Sequence, residues 1–118
     1  MESKTFNQRT LSGETLLLDP GTTLDNSNVQ ELVKVLSGAQ DAGFRNVILD
    51  MSQLEFISSA GVGAIFSKSE AARRRGGDIV LCNVSGNILY VLGELDVADH
   101  LTIKPSEQEA AAFCKVRL

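Results

Sequence analysis

The segment from residue 46 to residue 66 constrains the fold more than any other part of the chain. It reads NVILDMSQLEFISSAGVGAIF. The apolar run at residues 47–49 is typical of a short strand that is covered on both faces. After a polar connection, Phe56 and Ile57 form a second apolar pair, and Ser58 and Ser59 follow at the predicted start of a helix. The segment therefore predicts a buried strand that leads into a helix.

Ser58 and Ser59 are surrounded by small residues, namely Ala60, Gly61 and Gly63. Little side-chain bulk shields the two hydroxyl groups, so a partner protein can contact them or a partner enzyme can modify them. A simpler interpretation is that one serine caps the helix and that the glycines allow the helix to pack closely on the sheet. One hydroxyl is enough for a cap, whereas the sequence supplies two. Both interpretations stay open on the residues alone.

Strands and helices alternate along the first half of the chain. The turn residues Ser12 and Gly13 separate two predicted strands, at residues 5–9 and 14–18. Apolar residues at helical spacing predict an amphipathic helix over residues 28–42, which ends at Gly43. Three polar residues are candidates for the N-cap of this helix: Asp25, Asn26 and Ser27.

The second half continues the alternation and completes the predicted fold. A helix over residues 59–75 ends at Gly76-Gly77, and a buried strand follows at residues 79–82. Ser85 or Asn83 caps a third predicted helix, whose apolar residues are Ile88, Leu89, Leu92 and Leu95. A strand at residues 101–103 precedes a last helix that opens with a capping box at residues 106–109. The order β-β-α-β-α-β-α-β-α predicts one α/β domain over residues 1–118, with helices packed against a mostly parallel or mixed sheet.

Charge and composition exclude several classes of protein. The 118 residues carry a net charge of −4 and are 43% hydrophobic. A net negative charge argues against binding nucleic acid through its phosphates. No apolar stretch reaches the roughly 20 residues of a membrane span, and Arg73-Arg74-Arg75 is interpreted as the exposed last turn of a helix. We therefore expect a cytoplasmic protein that binds neither nucleic acid nor membrane.

The sequence does not favour an enzyme. A nucleophilic serine needs a neighbouring base, and the one histidine, His100, lies far downstream of the serine pair. Ile57 occupies the first glycine position of a G-x-S-x-G motif, and the glycines after Ser59 complete no nucleotide-binding motif. Cys82, Cys114 and His100 lack the spacing of a metal site, and the cysteines are interpreted as reduced thiols. We predict no catalytic residue, no metal and no cofactor.

Residues 47–63 resemble the signature of STAS domains, in particular that of bacterial anti-sigma factor antagonists. In that signature a strand leads to the pattern Phe, hydrophobic, Asp or Ser, Ser, small, Gly, Leu or Val, Gly, which opens a helix. Residues 76–85, 92–96 and 106–110 resemble the next strand and the last helices of the family, and Leu24-Asp25 resembles its loop before the first helix. The resemblance spans residues 5–114 and implies the same α/β fold.

The resemblance also implies a non-catalytic switch. In this family the unphosphorylated form binds an anti-sigma factor that is itself an ATP-dependent serine kinase of the histidine-kinase-like ATPase fold. Phosphorylation of one serine breaks that complex, and a serine phosphatase restores the binding form. The alternative is a STAS module that is not phosphorylated and binds a protein or a ligand in a transport or signalling complex.

By position in the motif, the phosphorylated serine of the family falls on Ser59. Ser58 stands where the family commonly has Asp, which makes Ser58 a second possible acceptor. In the loop before the first helix, Thr22 and Thr23 replace Gly and Glu. The resemblance implies a partner-binding set of ten residues: Thr23, Leu24, Asp25, Asn26, Ser58, Ser59, Ala60, Gly61, Val62 and Gly63. The small residues of this set are expected to let a partner backbone approach closely.

Overall fold

A five-stranded sheet and a separate two-stranded sheet organise the computed structural model, which describes residues 6–116. In chain order the strands are β1 (Asn7–Thr10), β2 (Thr15–Asp19), β3 (Thr23–Leu24), β4 (Asn46–Asp50), β5 (Phe56–Ile57), β6 (Asp78–Cys82) and β7 (Thr102–Lys104). The α-helices are α1 (Val29–Asp41), α2 (Ser59–Arg74), α3 (Gly86–Glu94) and α4 (Glu107–Phe113), and a short 3-10 helix covers Ala98–His100. The larger sheet has the order β1-β2-β4-β6-β7, and the smaller sheet pairs β3 with β5.

The predicted α/β class is confirmed, with a sheet that is mixed at one edge. Strand β1 runs antiparallel to β2, whereas the pairs β2–β4, β4–β6 and β6–β7 are parallel. The predicted hairpin is also confirmed, although β1 extends to Thr10 and its predicted first residue, Thr5, lies outside the described residues. The backbone N–H groups of Leu11 and Ser12 close the turn by donating to the carbonyl of Thr15, at 2.9 and 3.2 Å.

Both faces of the sheet are covered, which explains why the middle residues of its central strands are all apolar. On one face, α1, α2 and α3 pack on alternate strand residues such as Val47, Leu49 and Leu81. On the other face, Ile48 and Val80 pack against α4. Every residue of β6 is buried. Burial of each large aliphatic side chain stabilises the fold by about 1.5–3 kcal/mol, so the two cores hold α4 and the first three helices to opposite sides of one sheet.

Most predicted helix ends are confirmed, but the N-cap of α1 was wrong. Gly43 follows α1 with φ at +97°, a left-handed backbone that favours glycine. The residue at the N-cap of α1 is Asn28, and not Asp25, Asn26 or Ser27. Its side chain does not cap the helix, because it is bonded to the backbone of the preceding loop. For α3 the structure selects Ser85 over Asn83, since the Ser85 hydroxyl accepts from Ile88 N–H at 3.3 Å.

Gly76 and Gly77 end α2 for two different reasons. Gly76 has φ at +85°, whereas Gly77 lies directly against the chain that enters β4. A Cβ atom at position 77 would lie 1.7 Å from the carbonyl oxygen of Arg45, so no side chain fits there. The approach places the end of α2 directly against the start of the central strand β4.

Arg73, in the arginine run that was expected to be a solvated last turn, is partly engaged by the fold. All three arginines are exposed, as expected, but the Nε atom of Arg73 also donates to Oδ1 of Asp78 at 3.2 Å. Oδ2 of the buried Asp78 accepts from the hydroxyl of Thr102 at 2.6 Å. The network joins the end of α2 to β6 and β7. Within residues 6–116, no helix combines the length and the apolar character that crossing a membrane requires.

Candidate functional site

The N-terminal end of α2 is built around Ser58. This residue is the N-cap of the helix, with an extended backbone at φ −87° and ψ 167°. Its Oγ accepts from Gly61 N–H at 3.2 Å, and its carbonyl accepts from Val62 N–H at 3.0 Å. A serine cap stabilises a helix by about 1 kcal/mol. The simpler interpretation of the serine pair is therefore confirmed for Ser58, whose hydroxyl the domain itself uses.

Ser59 has a different environment although it is the next residue. It is the first residue of α2 and is exposed, whereas Ser58 is half-buried. In the part of the chain that the structure describes, no hydrogen bond involves the Ser59 hydroxyl. The exposed Ser59 hydroxyl therefore lies at the positive end of the helix dipole, where an anionic group is favoured.

The short sheet of β3 and β5 brings a second segment to this helix end. Thr23 pairs with Phe56, and Leu24 pairs with Ile57. The carbonyl of Leu24 also accepts from Ser58 N–H at 2.8 Å, which carries the pairing up to the N-cap itself. The loop before α1 is thus held beside the serine pair by backbone hydrogen bonds.

Asn28 fixes the conformation of that loop. Its Nδ2 donates to the carbonyl of Thr23 at 2.7 Å, and its Oδ1 accepts from Asp25 N–H at 3.0 Å. Asp25 in turn accepts from the hydroxyl and the backbone N–H of Ser27, at 2.6 and 2.8 Å. These two bonds, the hydroxyl first, lower the pKa of Asp25 below its ordinary value. The loop therefore presents a fixed negative charge next to the N-terminal end of α2.

The ten predicted partner-binding residues fall into three groups by exposure. The exposed ones are Asn26, Ser59, Ala60 and Gly63, and the partly exposed ones are Thr23, Asp25 and Ser58. The buried ones are Leu24, Gly61 and Val62. Buried side chains support this surface from beneath, so only the first two groups can contact a partner directly.

Gly61 and Gly63 also differ in how much free space lies next to their Cα atoms. A Cβ atom at Gly61 would lie 3.0 Å from Cγ1 of Ile57 and 3.2 Å from the carbonyl oxygen of Leu24. The close approach at Gly61 is therefore made by the chain itself and not by a partner. A Cβ atom at Gly63 would have no neighbour within 4 Å. The expected room for a partner backbone is found at Gly63.

The histidine and the two cysteines of the chain lie away from the serine pair. The ring of His100 packs edge-on against Phe66, at 6.0 Å between ring centroids, about two helical turns beyond Ser59. Burial, more than nearby carboxylates, raises the pKa of the Cys82 thiol to about 12 and that of Cys114 to about 11. Both thiols are therefore protonated near neutral pH. Among residues 6–116, no group of three His, Cys, Asp or Glu side chains could hold a metal ion.

The family of the chain follows from comparison with known proteins. Residues 8–110 match the family model of the STAS domain. The chain belongs to the STAS domain family. It is 31% identical over 98 residues to BtrV of Bordetella bronchiseptica, which is described as a candidate anti-sigma factor antagonist. That match covers 80% of this chain and 82% of BtrV.

Solved structures of antagonists share the fold of this STAS domain. The unphosphorylated form of the anti-sigma factor antagonist SpoIIAA superposes with a TM-score of 0.80 at 18% identity, over 96% of this chain and 99% of that one. The phosphorylated form of SpoIIAA, the Bacillus cell fate determinant, gives 0.73 at 22% identity, over 95% and 99%. The resemblance predicted from residues 47–63 is confirmed, both for the family and for its antagonist members.

Sequence reasoning missed two parts of this site. The pairing of β3 with β5 was not predicted, because strands of two residues are too short to show a periodic pattern. Phe56 was interpreted only as half of an apolar pair, yet it is 54% exposed and lies beside the serines. Alternation with the buried Ile57 is the signal that indicates an outward ring at Phe56.

Proposed function

We propose that this STAS domain is an anti-sigma factor antagonist that acts by partner switching, and that it is a binding module and not an enzyme. The unphosphorylated form binds an anti-sigma factor that is a serine kinase of the histidine-kinase-like ATPase fold. Phosphorylation of Ser59 releases this partner, and a serine phosphatase restores the binding form. The observation that carries the proposal is the exposed Ser59 hydroxyl at the start of α2, beside a loop held in place by β3 and β5.

Ser59 is preferred to Ser58 as the acceptor because the two hydroxyls differ in availability. The Ser58 hydroxyl accepts a hydrogen bond from Gly61 N–H and is half-buried. A kinase that phosphorylated Ser58 would have to remove the cap of α2, at a cost of about 1 kcal/mol. Phosphorylation of the exposed Ser59 leaves the cap intact.

The phosphorylated domain is expected to keep its fold. A phosphoserine carries about −1.5 to −2 charges at pH 7. At the N-terminal end of a helix this charge meets unpaired N–H groups and the positive end of the dipole, which favours an exposed anion by about 0.3–1 kcal/mol. The release of the partner must therefore arise at the interface and not from unfolding of the domain.

Phosphate mapping tests the proposal. The protein is incubated with ATP and the candidate kinase from the same genome, and is then analysed by intact-mass spectrometry and peptide mapping. We expect one phosphate, on Ser59, with no phosphate on Ser59→Ala and normal phosphorylation of Ser58→Ala. Phosphate on Ser58 alone would keep the switch but contradict the assigned residue. No phosphate with any serine kinase of the organism would overturn the switch and favour the unphosphorylated binding module.

A further inference from the structure

Large apolar side chains that remain exposed are concentrated near the proposed switch. Among residues 6–116, four of the five lie on β5, on α3 or at the C-terminal end of α3: Phe56, Leu89, Tyr90 and Leu95. The fifth, Phe113, lies on α4, and the Nζ atom of Lys104 covers its ring at 4.8 Å from the centroid. The apolar surface on β5 and α3 is therefore distinct from the rest of the exterior.

The composition of α3 accounts for this surface. Ile88 and Leu92, four residues apart, bury one side of the helix in the core. Leu89, 41% exposed, lies at the flank of this buried side, and Tyr90, 69% exposed, lies opposite to it. Solvent-facing helix positions usually carry charged residues, yet the chain has no Asp, Glu, Lys or Arg from residue 79 to residue 93. The outward side of α3 thus carries two large apolar side chains in addition to the polar Asn87 and Glu94.

Helix α3 lies beside the strand that leads to the proposed switch. Cα atoms of α3 lie within 8 Å of Cα atoms of β5. The exposed ring of Phe56 belongs to β5, two residues before the N-cap of α2. A partner that contacts Ser59 and Ala60 can therefore also reach Phe56 and α3, in which the one charged residue, Glu94, lies at the C-terminal end and accepts from the hydroxyl of Tyr90.

We propose that the kinase partner docks on an apolar anchor surface formed by Phe56, Leu89 and Tyr90, and that it presents an apolar patch to them. The inference rests on the proposed function and extends the partner surface from the N-terminal end of α2 onto α3. A few buried residues typically contribute most of the binding energy of an interface, and tyrosine is enriched among them. The anchor surface provides binding energy, and the phosphorylation state of Ser59, at the margin of that surface, determines whether the partner stays bound.

The arrangement also gives a reason for release. A partner with an apolar patch next to Ser59 would remove water from a phosphate on that residue without offering it a cation. Desolvation of an unpaired charge is strongly unfavourable. Phosphorylation therefore opposes the docking that the anchor surface favours, and no opposing carboxylate on the partner is required.

The test is calorimetric titration of the unphosphorylated full chain with the kinase that phosphorylates Ser59. The double variant Leu89→Ser/Tyr90→Ser should bind at least about tenfold more weakly than the unaltered protein, equivalent to about 1.4 kcal/mol. Phe113→Ser removes an exposed ring from the opposite face and should bind normally. Tyr90→Phe keeps the ring and loses only the bond to Glu94, so it too should bind normally. Thermal unfolding shows whether each variant keeps the fold.

The outcomes separate this inference from the proposed function. Normal binding by the folded double variant overturns the anchor surface and leaves partner switching intact. Weak binding by Phe113→Ser to the same degree as the double variant also overturns it. If the double variant binds the kinase normally but loses self-association in sedimentation velocity, the surface belongs to a second copy of the chain. If the unaltered protein binds no kinase, both proposals fall.

Discussion

At the scale of single residues, two adjacent serines have different environments because Ser58 has an extended backbone and Ser59 is the first residue of the helix. Ser58 has the extended conformation of an N-cap, which turns its hydroxyl back onto Gly61 N–H, whereas Ser59 starts the helix and faces outward. The sequence predicts that a serine caps α2, but the tandem pair alone leaves open which one. Only the position of the helix start decides, since the cap and the first helical residue have different backbone conformations.

This division predicts opposite effects on stability and on phosphorylation. Ser58→Ala removes the cap and should lower the free energy of unfolding by about 1 kcal/mol, within a range of roughly 0.5–2. Ser59→Ala removes a hydroxyl with no partner among the described residues and should change it by less than about 0.5 kcal/mol. Urea unfolding followed by circular dichroism measures both. Equal destabilisation by the two variants would contradict the assignment of the cap.

At the scale of elements, periodicity in the sequence predicts most of the fold and little of the loop beside the switch. Helices α1, α2 and α3 and the buried strands β4 and β6 have enough residues to show a 3.6-residue pattern or an apolar run. Strands β3 and β5 have two residues each, and their pairing depends on contacts between distant parts of the chain. The cap of α1 was mispredicted for the same reason, because Asn28 is positioned by its bond to Thr23.

Asn28 is therefore expected to control the loop and not the helix that follows it. Asn28→Ala removes the bonds to the Thr23 carbonyl and to Asp25 N–H. The amide of Asp25 should exchange with solvent faster in the variant, and partner binding should weaken because residues 23–26 lose their fixed conformation. Hydrogen exchange measured by NMR reports on the loop, and calorimetric titration reports on binding.

The amide of Leu54, which donates to the Met51 carbonyl outside this loop, serves as the internal control. Its exchange should be the same in both proteins. Unchanged exchange at Asp25 would show that the loop is held without Asn28. Faster exchange at both amides would instead indicate a general loss of stability.

At the scale of the whole molecule, the sheet separates the proposed switch from the apolar contacts that hold α4. Helices α1 to α3 cover one face and α4 the other, and the anchor surface lies on the side of α3. Membership of the STAS domain family was predictable from residues 47–63, because that segment contains a strand, the serine turn and the start of a helix in one stretch. The anchor surface was not predictable, because Leu89 was grouped with Ile88 and Leu92, which are buried, as an apolar residue of the third helix.

A desolvation mechanism makes a prediction about salt. The Ser59-phosphorylated protein should bind the partner more weakly than the unmodified protein does. The ratio of the two dissociation constants should change by less than about twofold between about 0.05 and 0.5 M NaCl. Repulsion between the phosphate and a partner carboxylate would instead be screened, because the Debye length falls from about 14 Å to about 4 Å over that range. Calorimetric titration of both forms measures the ratio. A ratio that falls steeply with salt would favour direct repulsion over desolvation.

The approach of Gly77 to the Arg45 carbonyl has a consequence for how natural variation in this protein should be interpreted. With only 1.7 Å available to a Cβ atom, selection is expected to retain glycine at position 77 in every lineage that keeps the same crossing of α2 over the sheet. An invariant glycine next to three arginines would then resemble a recognition motif in an alignment. Its invariance would report on a backbone contact between two segments of the fold, far along α2 from Ser59, the proposed site of phosphorylation.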